Sequence, residues 1–194
     1  MRIISGIFKG RKIDYLKNHT TRPLKDSVKE SIFNILIHSD AINVKLDRSN
    51  VLDLYSGVGS FGIECISRGA QNVTFIEKDK IAYYTLKENL QNLSVINKTK
   101  VFNDDIEEII KKKINTKFDI FFLDPPFKDY NFIKNLMLLK KKNIFKTNHI
   151  VVIHRETGTS DNLSDTMDII NVKQYGRSKI IFGFLNWVFD LYIF

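Results

Sequence analysis

The residues best suited to chemistry are Asp124-Pro125-Pro126-Phe127, which follow the apolar run Phe118–Leu123. Two prolines cannot continue a strand ladder, so they stiffen the turn and leave carbonyls with no N–H donors beside them. The Asp124 carboxylate and the Pro125 carbonyl could then accept both N–H bonds of an exocyclic amine on a nucleobase. That would localise the amine lone pair and aim it at an electrophilic carbon. Acceptors at the nitrogen also stabilise the positive charge that develops there. Phe127 offers a flat face for stacking a base taken out of its helix. The plainer reading is a strand-to-loop turn with Phe127 in the core.

Gly57, Gly59 and Gly62 satisfy G-x-G-x-x-G directly after the apolar Val51-Leu52-Asp53-Leu54. In a strand–turn–helix context, Gly57 and Gly59 would let backbone approach a ligand. Glu77 lies 20 residues beyond Gly57, the spacing of a ribose-binding acid. Two cofactors compete. A nicotinamide dinucleotide would set its pyrophosphate on the helix N-terminus. S-adenosylmethionine (SAM) carries an ammonium and a sulfonium instead. Asp53, four residues before Gly57, balances a cation and repels a pyrophosphate, which favours SAM. Asp105 is placed to accept from an adenine amino group; Asp104, or a plain helix cap at Asp105, is the alternative.

These residues need strands and helices to hold them. Residues 2–15 alternate apolar and polar and read as a hairpin arm. Its turn brings together Lys9, Arg11 and Lys12, which could grip phosphates or simply be a solvated tip. Residues 18–25 form a polar loop holding Arg22, and Asp26 is expected to cap a helix with Val28, Ile32, Ile35 and Leu36 on its apolar face and Lys29 and Glu30 turned away. Strands are expected at 51–54, 73–76, 100–103, 118–123 and 150–153. Helices alternate with them at 60–68, from Asp79, at 105–112 and at 130–139. Strands near 168–175 and 179–189 close the chain as a hairpin at Gly176-Arg177. The pattern predicts an α/β, Rossmann-like domain: a mostly parallel sheet with helices on both faces, and an antiparallel C-terminal hairpin. Residues 1–25 would be the arm and 26–194 the domain.

A chain of 194 residues suits one such domain, and a net charge of +8 favours a polyanionic partner, RNA or DNA first. A generally lysine-rich proteome would explain the same excess, and the many Lys, Asn and Ile residues fit an AT-rich genome. The lysines at 111–113 and 140–142 are either phosphate contacts or solvated faces. One cysteine, Cys65, excludes an internal disulfide, and four scattered histidines (His19, His38, His149, His154) show no metal-ligand spacing. No metal is expected, and the histidines read as ordinary residues. No apolar run approaches a membrane span, and the N-terminus lacks a leader, so a cytoplasmic or organelle-matrix protein is expected.

The motifs resemble one family across nearly the whole chain. They are Arg2-Ile-Ile-Ser-Gly6 with Lys9-Gly-Arg-Lys12, Arg22-Pro23 with Asp26, Val28 and Glu30, and Leu52 through Glu64. Ser67-Arg-Gly-Ala70, Phe122 through Phe127 and Tyr175-Gly176 follow. Their order is similar to that of the RsmD-type 16S ribosomal RNA guanine-N2 methyltransferases, class I SAM-dependent enzymes. The resemblance implies methylation of a guanine N2 in 16S rRNA, on the small ribosomal subunit or an assembly intermediate, by a monomer. By motif position Asp53, Tyr55, Gly57, Gly59, Glu77 and Asp105 would serve SAM. Asp124, Pro125 and Phe127 would serve the guanine, and Lys9, Arg11, Lys12 and Arg22 the RNA. The chain departs from the family where Leu24 and Lys25 replace the usual threonines after Arg-Pro, and in the tail Leu191–Phe194. A DNA adenine-N6 or protein-glutamine methyltransferase would use the same loop. A non-catalytic RNA-binding assembly factor and a nicotinamide-dependent oxidoreductase are the remoter alternatives.

Overall fold

Val51, Leu52 and Leu54 are fully buried in the first strand, β1 (Asn50–Leu54), which reads as a continuous apolar run because helices cover both its faces. The computed structural model describes residues 1–16 and 24–186. In it β1 is flanked by β2 (Asn72–Ile76) and β4 (Phe118–Leu123), both parallel to it. β3 (Thr99–Phe102) lies outside β2, and β5 (Phe145–Glu156) outside β4. The last two strands, β6 (Met167–Tyr175) and β7 (Ser178–Leu185), are antiparallel to each other, and β7 pairs with β5. The full order is β3-β2-β1-β4-β5-β7-β6. The chain reverses its direction of travel across the sheet between β1 and β4, the place where open α/β sheets bind ligands. The expected α/β architecture is therefore present, with β7 inserted inside the sheet rather than hung on its edge.

Among the described residues, α1 (Asp26–His38) precedes β1, and α2 (Ser60–Ser67), α3 (Lys80–Asn92), α4 (Ile106–Lys112) and α5 (Asn131–Lys142) connect successive strands. One core layer joins α1, α2 and α3 to the sheet through Phe33, Phe61, Leu86 and Phe122, and the other joins α4 and α5 through Ile110, Leu136 and Phe121. As expected, Asp79 caps α3, accepting from Ala82 N–H at 2.8 Å. Asp26 does not cap α1. Lys25 holds that position, and the Asp26 carboxylate lies in the first turn, taking Arg2 Nε at 3.1 Å.

Lys29 also departs from expectation, being fully buried on the inner side of α1. Its partner explains this, because Glu64 on α2 is equally buried, with Nζ and Oε2 3.7 Å apart. Lys29 Nζ donates to the Arg2 carbonyl (3.0 Å) and to Ser60 Oγ (3.2 Å). Glu64 accepts the amides of Ile4 and Ser5 and the Arg68 guanidinium. Burial nonetheless pulls the Lys29 pKa below its usual value, against the raising effect of Glu64. This cluster seats the N-terminal arm, which forms no regular strand but closes on itself at a single Arg2–Lys12 bridge and buries Ile3 and Ile13 in the main core.

β5 is much longer than its apolar stretch. Lys146, Thr147 and Asn148 break the apolar pattern but extend the strand, with Phe145 paired to Phe118 across a register shift. α5 begins at Asn131 rather than Tyr130 and continues through three lysines to Lys142. The expected strand to residue 189 is described only to Leu185. Among the described residues no helix is long and apolar enough to cross a membrane, and no group of three His, Cys, Asp or Glu could hold a metal ion.

Candidate active site

Parallel register determines what meets at the sheet's carboxyl edge. Leu54 is level with Ile76 and with Leu123, Ile76 with Phe102, and Leu123 with Ile153. The next residues, Tyr55, Glu77, Asn103 and Asp124, therefore leave the sheet at one level, and His154, still within β5 and paired with Ile180, lies level with them. Two adjoining hollows open there, of about 610 and 900 Å3, sharing Tyr55, Glu77, Asp79 and Pro126. Asp53, Gly57, Asp124, Pro125, Phe127 and His154 line the first. Asp105, Lys78 and Asn135 line the second.

Asp53 is 1% exposed. Its Oδ2 accepts the Gly62 amide at 2.9 Å, which anchors the start of α2. Its Oδ1 is buried without a hydrogen-bond partner, the sole such side-chain atom among the described residues. A buried oxygen left unpaired is costly, so a cationic donor from the cleft would relieve it. Burial pushes the Asp53 carboxyl well above the aspartate range; the Gly62 amide opposes this, and Asp124 and Glu77 add to it. The turn beyond fits close approach by a ligand. Gly57 has φ +54°, and a Cβ there would meet nothing within 4 Å. Gly59 differs, because its φ of +87° also demands glycine but a Cβ would fall 2.3 Å from Leu86 Cδ1. Its missing side chain makes room for α3 rather than for a ligand.

Glu77 uses both oxygens to shape this turn, accepting Gly57 N–H and Asp79 N–H, each at 2.7 Å. Each oxygen keeps a second lone pair for a hydroxyl donor. Burial raises its pKa, and those two amides draw it back down. Asn103, unremarked in the sequence, donates to the carbonyls of Glu77 (2.8 Å) and Lys78 (3.0 Å) and so pins this strand end. Tyr55 is held at φ +59°, a left-handed conformation unusual for a side chain this bulky. Its hydroxyl accepts Asn135 Nδ2–H at 2.9 Å, and burial raises its pKa. Asp105 lines the cleft and also caps α4, accepting Glu107 N–H at 3.0 Å while Lys78 Nζ lies 3.3 Å from its other oxygen. Both roles weighed for Asp105 are therefore open to it. Asp104 accepts the Asp105 amide.

The Asp124–Phe127 loop is held from β5 by two adjacent residues that sequence reasoning passed over. His154 Nδ1 lies 2.8 Å from Asp124 Oδ1. Arg155, wholly buried, donates to the Pro126 carbonyl (NH1, 3.1 Å) and to the Phe127 carbonyl (NH2, 3.0 Å). Its Nε and NH2 also grip both oxygens of Asp161, each at 3.1 Å, and the guanidinium lies 4.5 Å from the Phe132 ring centroid. Among the described residues no donor is bonded to the Pro125 carbonyl. Phe127 is half-buried and lines the cleft. The available signal was positional: His154-Arg155 directly follows the apolar run Ile150–Ile153, as Asp124 follows Phe118–Leu123.

The arm reaches this site at one end only. Met1, Tyr15 and Leu16 line the cleft. The turn lies elsewhere, with Ile7 N–H on the carbonyl of Ser67 (2.8 Å) and Arg11 on that of Asn92 (2.8 Å), the last residues of α2 and α3. Helices in such folds run opposite to the strands, so these ends mark the far edge of the sheet. Lys9, Arg11 and Lys12 are exposed there, away from the hollows. The same geometry carries the lysines at 140–142 to the far edge, where Lys140 bonds the Asp165 carbonyl. On the short α4, Lys112 pairs with Glu108, and Lys111 turns back to Glu107, which lines the hollow of about 900 Å3. Arg22 lies outside the described residues, as does the tail Leu191–Phe194.

A family model described as conserved hypothetical protein 95 matches residues 1–183. The ribosomal RNA small subunit methyltransferase D of Haemophilus influenzae is 37% identical over 80% of this chain and 79% of its own. The protein of the same name from Buchnera aphidicola is 34% identical over 93% of this chain and 88% of its own. A solved Escherichia coli structure, described as a candidate methyltransferase, superposes with a TM-score of 0.80 at 25% identity, covering 96% of this chain and 98% of that one.

Proposed function

The chain belongs to the RsmD-type, conserved hypothetical protein 95, family of SAM-dependent methyltransferases, and on that premise we propose that it methylates the exocyclic N2 amine of a guanine in small-subunit ribosomal RNA. The observation that carries the reading is a single cleft holding both an unpaired buried carboxylate oxygen, Asp53 Oδ1, and the Asp124-Pro-Pro-Phe127 loop. SAM, when bound, supplies an electrophilic methyl group. Asp53 would balance its cationic end and Gly57 would give its backbone room. Tyr55, Gly59, Glu77 and Asp105 would complete the cofactor side, with Glu77 on the ribose hydroxyls and Asp105 on the adenine amine.

On the target side the Asp124 carboxylate and the Pro125 carbonyl would accept the two N–H bonds of the guanine amine. Positive charge grows on that nitrogen as it is alkylated, so both acceptors bind the transition state more tightly than the ground state. Phe127 would stack the base. The alkylated amine is acidic, so water or Asp124 suffices to take its proton. Lys9, Arg11, Lys12 and Arg22 are the proposed phosphate contacts. The first three would meet RNA only where it runs past the cleft onto the α2 and α3 ends.

The test is incubation with methyl-labelled SAM and unmodified small ribosomal subunits, beside naked rRNA, DNA and a protein extract, with labelled RNA digested to nucleosides. N2-methylguanosine from the subunits is the expected product. Label confined to DNA or protein would overturn the substrate assignment. Asp124→Ala should retain SAM binding and lose transfer.

A further inference from the structure

His154 is 5% exposed, yet both of its ring nitrogens are hydrogen-bonded. Nδ1 lies 2.8 Å from Asp124 Oδ1, and Nε2 lies 3.0 Å from Ser178 Oγ. The ring also stands edge-on to Phe127, with centroids 5.9 Å apart and planes at 85°. Ile153 is level with Leu123 in the β4–β5 pairing, so Asp124, just past the end of β4, lies beside His154 within β5. We propose that His154 is a positioning residue for methyl transfer: its Nδ1–H holds one oxygen of Asp124 so that the other is presented to the acceptor amine. This rests on the reading of Asp124 as that amine's acceptor.

The chemistry of the three groups fixes the arrangement. An ionised carboxylate only accepts, so Nδ1 must carry the proton. In the neutral ring Nε2 then bears a lone pair, to which the Ser178 hydroxyl, able to donate or accept, donates. Ser178 is itself placed by β7, where it pairs with Glu156. Asp124 keeps 26% side-chain exposure on the cleft, and its Oδ2 has no partner among the described residues. Aspartate χ2 is a broad torsion with no strong staggered preference. Without an anchor at Oδ1 the carboxylate plane would wander, and the amine's acceptor would be misplaced in much of the ensemble. His154 thus acts on the reaction through Asp124 and touches neither substrate.

Two measurements test this. In the first, imidazole nitrogen NMR is recorded on the full chain without substrate at pH 8. Nδ1 protonated and Nε2 accepting is the expected state, and the opposite tautomer overturns the proposal. The second compares His154→Asn, whose amide N–H can reach Asp124 as Nδ1–H does, with His154→Phe, which has no donor. A lost hydrogen bond to a charged group should cut kcat on the order of 10–100-fold in the Phe variant. KM for SAM should stay put, and the Asn variant should recover most of the rate. Equal loss in both variants, or no loss in either, overturns it. If the parent protein transfers to no RNA, the functional reading fails. The tautomer, read without substrate, would still decide whether His154 anchors Asp124.

Discussion

Replacing Arg155 with Met separates the stability of the Asp124–Phe127 loop from its placement. Arg155 and Asp161 have side-chain exposures of 0% and 1%, so Arg155→Met strands an ionised carboxylate in the interior. Breaking a buried pair from one side costs about 3–5 kcal/mol. For a chain of this length that lowers Tm by roughly 6–20 °C. Arg155→Met/Asp161→Leu removes the stranded charge and should return to within about 1–2 kcal/mol of the parent. The Pro126 and Phe127 carbonyls still lack their donors in that double variant. A loop displaced by about 1 Å can lose on the order of 100-fold in rate, so methyl transfer should stay impaired in a well-folded protein. Urea unfolding and single-turnover transfer on small subunits measure the two quantities. A single variant within about 1 kcal/mol of the parent would refute the burial argument. A double variant with full activity would refute the claim that the carbonyl contacts aim the loop.

The buried Asp53 makes a pH-dependent prediction. Its folded pKa is raised by burial, so ionisation disfavours the native state. That cost is absent in acid, where folded and unfolded chains are both protonated, and it grows as pH rises past the ordinary aspartate value. Asp53→Asn should therefore be more stable than the parent at neutral pH, with the gap closing toward pH ~4, and should bind SAM more weakly. A gap that widens in acid contradicts this. Gly57→Ala adds a methyl to open space at a left-handed residue, costing about 1–2 kcal/mol, and calorimetry should show SAM affinity falling further than stability. Gly62→Ala should do the reverse, since its Cβ would lie 2.3 Å from the Phe75 ring; comparable binding losses in the two would count against the assignment of the turn. Lys29→Met should loosen the arm, destabilising by about 1–3 kcal/mol and speeding amide exchange at Ile4 and Ser5; unchanged exchange would show that Glu64 and Arg68 seat it alone.

Parts of this molecule were legible because parallel strands buried on both faces leave short apolar runs, and β1, β2 and β4 contain the runs that begin at Val51, Val73 and Phe118. The strand-end acids Asp53, Glu77 and Asp124 were legible for the same reason, since each borders or interrupts such a run. β5 was seen only in its centre because Lys146, Thr147 and Asn148 mask its first half. Lys29 was misjudged because helical periodicity knows nothing of Glu64, a buried charge on another helix. His154 and Arg155 were missed because what they do depends on register. Thirty residues separate His154 from Asp124, and only the β4–β5 alignment makes them neighbours. Where the lysine runs lie was not legible either, since which edge of the sheet a helix C-terminus reaches depends on the topology.

The placement of β7 between β5 and β6 has a consequence for synthesis. β5 pairs with β4 on one side, but its other side stays bare until residues 178–185 have been made. A nascent chain that stops short of them exposes the edge of Ile150–Ile153, a four-residue apolar run able to recruit strands from other chains. It also lacks Ser178, so the His154 ring is not yet fixed. The half of the sheet proposed to hold SAM, β1 to β3, has been made long before this. The glycine turn and strand-end acids are therefore synthesised early, whereas the proposed acceptor loop gains its full support only once the last described strand pairs with β5.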